Sequence, residues 1–211
     1  MTLLALLLSA ETSWGASPLP QLEPDDSIFS SFEREYSTAV REALLTGVPL
    51  TAFSVVTIPS FTPEWAAWVE IEPEPRACSR IVPAPIWNGA EPTRPNLPGE
   101  LPAPKCAPLT AKLAKSIANA WLGMLWGVRY QSSDVMGGDG VGFHFAGFCP
   151  GPGILAGQTW SPEAGTPTAR LVALAEALRA YSVDPSSEAA DSLRKRAAAV
   201  PLDRRLTRRC S

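Results

Sequence analysis

Residues 136–160 read Met136-Gly-Gly-Asp139-Gly-Val-Gly-Phe143-His144-Phe145-Ala-Gly-Phe-Cys149-Pro-Gly-Pro-Gly-Ile-Leu-Ala-Gly-Gln-Thr-Trp160. Within them Val141, Phe143 and Phe145 alternate with Gly142, His144 and Ala146, the period-two pattern of a strand. The alternation predicts both phenylalanines on one face and His144 on the other. Residues 147–152 supply the glycines and prolines that a reversal requires, and residues 153–160 read as the return strand. The stretch therefore predicts a β-hairpin. It also gathers eight of the fifteen glycines, the only histidine, Cys149 and Trp160.

The segments around it carry the helical period. Leu109, Leu113, Ile117, Trp121, Met124, Leu125 and Val128 form one apolar stripe, which predicts an amphipathic helix over residues 109–128 with its two tryptophans in a core. Thr166-Pro167 has the N-cap and first-turn residues of a second helix, over 166–182, with Leu171, Leu174, Leu178 and Tyr181 on its buried side. Near the N-terminus Phe29, Phe32, Tyr36, Val40 and Ala43 recur at spacings of three and four after the capping residues Asp25 and Asp26. Gly47 closes this third helix, over 28–46. A last short helix is expected from Ser186, acidic early and basic late, as its dipole favours.

Between the helices at 28–46 and 109–128 lie further strand signals. Residues 50–58 are rich in Val, Thr and Phe and bounded by Pro49 and Pro59. In residues 64–72, Trp65, Ala67, Val69 and Ile71 alternate with Glu64, Glu70 and Glu72, predicting one buried face and one acidic, solvated face that also carries Trp68. Residues 77–87 read as a third strand, confined to an edge by Pro83 and Pro85, followed by proline-rich coil to residue 108. Strand runs separated by isolated helices do not alternate as a parallel doubly wound sheet would. The expected fold is α+β: a small, mainly antiparallel sheet with the hairpin in its C-terminal half, covered by about three amphipathic helices.

At 211 residues the chain suits one domain with a sizeable core. Charged residues make up only 18%, and most of the 22 prolines fall between residues 49 and 108, so most of the chain should fold and that segment should be extended. Residues 1–16 read as a signal peptide: an apolar run followed by Ser13-Trp14-Gly15-Ala16, although no Lys or Arg precedes the run. Residues 17–27 form a linker, 28–183 the domain with its proline-rich segment at 83–108, and 184–211 a basic appendage. Export to a periplasmic or extracellular setting lets Cys78 pair with Cys106, closing a loop worth roughly 3 to 4 kcal/mol. Cys149 with Cys210 would then tie down the tail. Residues 194–211 hold seven basic residues against Asp203, leaving +6 there and −9 on the rest of a chain whose net charge is −3. No aromatic interleaves those arginines as a base-stacking surface requires, which argues against nucleic acid as the partner.

A single histidine excludes multi-histidine metal sites, and no cysteine pair has the spacing of a zinc ribbon or a redox CxxC. A hydrolase would need His144 as its base, with Cys149 five residues on as a candidate nucleophile. Asp139 and Glu163, with Asp134, flank the hairpin and offer paired carboxylates beside Trp160. The Gly151–Ala156 match to a dinucleotide fingerprint opens a strand rather than a helix and carries no weight. No cofactor is implied. The expected function is a non-catalytic binding or interaction module of the cell envelope or exterior, using Trp68, Trp87 and Trp160 toward a protein or envelope partner. The alternative is a small hydrolase acting at the hairpin.

Overall fold

A computed structural model of the chain describes residues 21–25, 31–86, 100–129 and 139–201, with side chains of 31–35 excluded. The expected signal peptide, Trp87, Asp134 and Cys210 lie outside the described residues. The α+β arrangement is present. Among the described residues six strands form one antiparallel sheet: β1 (Phe53–Pro59), β2 (Trp65–Glu70), β3 (Arg76–Ile81), β4 (Lys105–Pro108), β5 (Val141–Cys149) and β6 (Gly153–Trp160), in the order β4-β3-β2-β1-β5-β6. Among the described residues there are four helices, α1 (Ser31–Leu45), α2 (Ala111–Leu125), α3 (Pro167–Val183) and α4 (Ser187–Ala199).

The expected hairpin is β5 and β6, paired from Gly142↔Trp160 to Cys149↔Gly153. Its turn is tighter than the expected 147–152: Gly147 to Cys149 continue β5, and Gly151 and Gly153 take the positive φ that the reversal needs. Phe143 and Phe145 lie in the main core with Val55, Ala67 and Val69, packed under α2, α3 and α4. Trp121 of α2 is fully buried there, edge-on to Phe145 at 5.4 Å, and its indole N–H donates to the Ser54 carbonyl at 3.3 Å. Thr110, Thr166 and Ser186 each accept a backbone N–H three residues on, capping α2, α3 and α4.

The opposite face departs from expectation. Residues 64–72 do alternate, but the Glu64, Trp68 and Glu70 side is covered rather than wet: Glu64 is 0% exposed, Trp68 2% and Glu70 6%. Tyr36, Val40, Ala43 and Leu44 of α1 pack there on Val56, Ala66, Val82 and Ile86, so the sheet has helices on both sides. The two carboxylates and the indole each have hydrogen-bond partners. The Glu64 carboxylate accepts from the Tyr36 hydroxyl and, at 2.8 Å, from the Ile86 N–H. The Trp68 indole donates to Glu70 at 2.9 Å, and Arg76 pairs with the same carboxylate at 2.7 Å. Arg80, only 9% exposed, places one guanidinium nitrogen 3.0 to 3.2 Å from the carbonyls of Ala43, Leu44 and Thr46, capping the C-terminal end of α1. Burial holds its pKa below the usual arginine value.

Tyr36 gives this packing a pH signature. Burial, then the hydrogen bond and charge of Glu64, push its phenol above the ordinary 10. The folded pKa is raised, so stability is intact below pH 10 and falls as the pH rises further, where the unfolded phenol ionises first. Tyr36→Phe should therefore cost about 1 kcal/mol at neutral pH, through the lost bond to Glu64, and flatten the alkaline decline. Urea melts at pH 7 and at about pH 10.5 check this; equal pH slopes in both proteins would refute it.

Two further corrections concern the edges. β3 is internal, because it ends at Ile81 before Pro83 and Pro85, and β4 lies outside it within the expected coil. The edge position suits a four-residue strand that ends in proline. Cys78 and Cys106 face each other across this pair and form the expected disulfide. The start of the basic appendage is also not peripheral. Leu193, Ala197 and Val200 are buried in the main core, so α4 belongs to the domain.

Candidate functional site

The only histidine sits mid-strand on the α1 side of β5, paired with Val56 on one neighbour and Gln158 on the other. Its Nδ1 lies 3.3 Å from Asp25 Oδ2, and the same carboxylate pairs with Arg41 of α1. The His144 and Asp25 side chains are 12% and 8% exposed. Asp25 reaches this position because Glu23 bridges Gln158, exchanging backbone hydrogen bonds of 2.7 and 2.8 Å and adding an edge segment beside β6. Gly157 makes the approach possible: a Cβ there would stand 3.1 Å from the Glu23 carbonyl and 2.6 Å from Val128. The histidine thus joins the sheet to α1 and to residues 21–25.

Trp160 lies beside it. The indole covers Gly140, where a Cβ would come within 2.7 Å of the ring, and reaches Gly142, whose Cβ would also be 3.4 Å from His144 Nε2. Gly140 is required to seat the ring, which remains half-buried, whereas a Cβ at Gly142 would make ordinary van der Waals contact with it. Ser60, in the β1–β2 turn, is stitched to Gly140 by three hydrogen bonds of 2.9 to 3.0 Å. Next to it Phe61 is 75% exposed. Ser161 follows Trp160 with a φ of 35° and is held by Val141, whose N–H donates to its hydroxyl at 2.9 Å. Around the corner, between β5 and α3, an open hollow of about 320 Å³ is lined by Val141, Phe143, Pro162, Ala169, Val172 and Glu176 among others.

The sequence-derived candidates separate on this frame. Asp139 and Glu163 lie at the Trp160 end of the hairpin, both exposed, and among the described residues neither carboxylate has a hydrogen-bond or ion-pair partner. Cys149 is in the same strand as His144 rather than across a turn, on the opposite face and about 17 Å along it. It is fully buried and disulfide-bonded, so it is no partner for the imidazole as a nucleophile. Its expected partner, Cys210, lies outside the described residues. Trp68, expected at the surface, is enclosed by Ala52, Val48 and the disulfide, with the Arg80 guanidinium 6.0 Å from its ring centroid. It offers nothing to a ligand. Among the described residues no group of three or more His, Cys, Asp or Glu side chains is placed to hold a metal ion, and no helix is long and apolar enough to cross a membrane.

Three contributors were not picked out from the sequence. Phe61 carried no signal beyond a turn residue. Arg41 was one of several charges on a helix, and Asp25 was assigned to a cap; their pairing with a histidine 119 positions away from Asp25 is set only by the fold. No family model, curated protein or solved structure matches the chain.

Proposed function

We propose that this is an exported, non-catalytic interaction module whose contact surface is the sheet end formed by Phe61, Trp160 and the apolar hollow. The observation that carries the reading is Phe61: a large aromatic ring left 75% exposed on a turn that the Ser60–Gly140 bonds hold fixed. Exposed apolar surface on a rigid frame, beside a concave apolar patch, is the usual anatomy of an interface core. Asp139, Glu163 and Glu176 surround it, so a partner segment combining apolar and basic residues fits best. The Cys78–Cys106 disulfide supports an oxidising, extracytoplasmic setting, periplasmic or secreted.

One observation favours a second reading. A carboxylate at Nδ1 is how a general-base histidine is oriented, and Asp25 stands there, which keeps a small hydrolase as the alternative. Affinity capture separates the two. The wild-type chain should retain a stoichiometric protein that Phe61→Asp loses, with His144→Ala still binding. Turnover of an ester, peptide or glycoside panel that His144→Ala abolishes in a folded protein would overturn the module reading.

A further inference from the structure

The two sulfurs of the Cys78–Cys106 disulfide live in different environments. Cys78, on the internal strand β3, is 0% exposed, whereas Cys106, on the edge strand β4, is exposed. Behind the bond, the Cys78 sulfur lies 3.9 Å from Glu70 Oε1, a carboxylate oxygen already fixed by the Trp68 indole. Attack from solvent is therefore open on one sulfur only. The other, once released, has an acceptor in place for its S–H.

We propose that Cys106 is a thiol-exchange site, through which a dithiol reductant opens the disulfide and loosens the β4 edge of the sheet. The incoming thiolate bonds to Cys106 Sγ as the Cys78–Cys106 bond breaks, and the electron pair leaves on Cys78 Sγ, which takes a proton and donates it toward Glu70. The reductant's second thiol then attacks its own sulfur in the mixed disulfide. Cys106 departs as a thiol, and the reductant carries away the oxidised pair. Two electrons and two protons pass from the dithiol to the protein. In the oxidised protein β4 is also held by its backbone pairing with β3. Its far end also stays anchored: the Leu109 N–H donates to Pro75 at 2.8 Å and the Tyr181 hydroxyl to Pro108 at 2.7 Å. Loosening is thus confined to the Lys105 end.

The test uses the full-length oxidised chain in native buffer. Incubated with excess glutathione, quenched in acid and mapped by peptide mass, it should carry the adduct on Cys106 and none on Cys78. An adduct on Cys78, or none on either residue until denaturant is added, overturns the proposal. Two single substitutions give an independent reading: with Cys78→Ser, Cys106 should alkylate at least about 100-fold faster than Cys78 does with Cys106→Ser, and equal rates overturn it. Reduction with a dithiol should speed amide exchange at residues 105–107 by at least about tenfold while α2 keeps its protection. Unchanged exchange at β4, or loss of protection throughout the sheet, contradicts the local opening.

Discussion

Trp121→Ala is expected to lower stability by roughly 3 to 5 kcal/mol, the range for emptying a fully buried aromatic site. The indole is 0% exposed at the centre of the main core, edge-on to Phe145 and bonded to the Ser54 carbonyl. Removing it leaves a cavity between α2 and the middle of the sheet and deletes the hydrogen bond to Ser54. At this chain length the loss should lower Tm by roughly 10 °C or more. Thermal unfolding followed by near-ultraviolet circular dichroism measures it. A shift below about 3 °C would mean that α2 does not pack on the sheet through this ring.

The second large effect is on the other face. Glu64→Ala should cost roughly 2 to 5 kcal/mol, because the Tyr36 hydroxyl and the Ile86 N–H lose a common buried acceptor. Glu64→Gln keeps one oxygen able to accept and should cost about half as much. The comparison separates a carboxylate that fastens α1 and residues 82–86 to the sheet from one sitting on a solvated face. For the latter, both changes would stay within about 0.5 kcal/mol in a denaturant melt.

The elements with a long, clean period were legible from the residues: α2, α3, β1, β2 and the β5–β6 hairpin all fall within a few positions of their expected bounds. The Cys78–Cys106 pairing was legible too, but the strand that makes it possible was not, since Lys105–Pro108 is too short and proline-bound to carry a pattern. The second covered face was misread for a physical reason. Glutamates at alternate positions normally mark solvent, as the exposed Glu72 does, but Glu64 and Glu70 are buried because Tyr36, Ile86, Trp68 and Arg76 supply their hydrogen bonds. Such partners are set by tertiary packing. The apolar stripe of α1 was the available clue, because it needed a surface to cover, and that surface is the one carrying Glu64. Of the candidate site, Trp160 and His144 were singled out from the hairpin alone. The clamp through Asp25 and Arg41 and the exposure of Phe61 emerge only once the strands are ordered.

The most direct measurement is calorimetric titration of the protein captured by the wild-type chain against wild type, Phe61→Asp and His144→Ala, with thermal melts in parallel. Phe61→Asp should weaken binding at least about tenfold, roughly 1.4 kcal/mol, while leaving Tm essentially unchanged, since the ring is mostly exposed. Unchanged affinity in Phe61→Asp, or a folded His144→Ala that binds normally but has lost a measurable turnover, would contradict a non-catalytic contact surface at this end of the sheet.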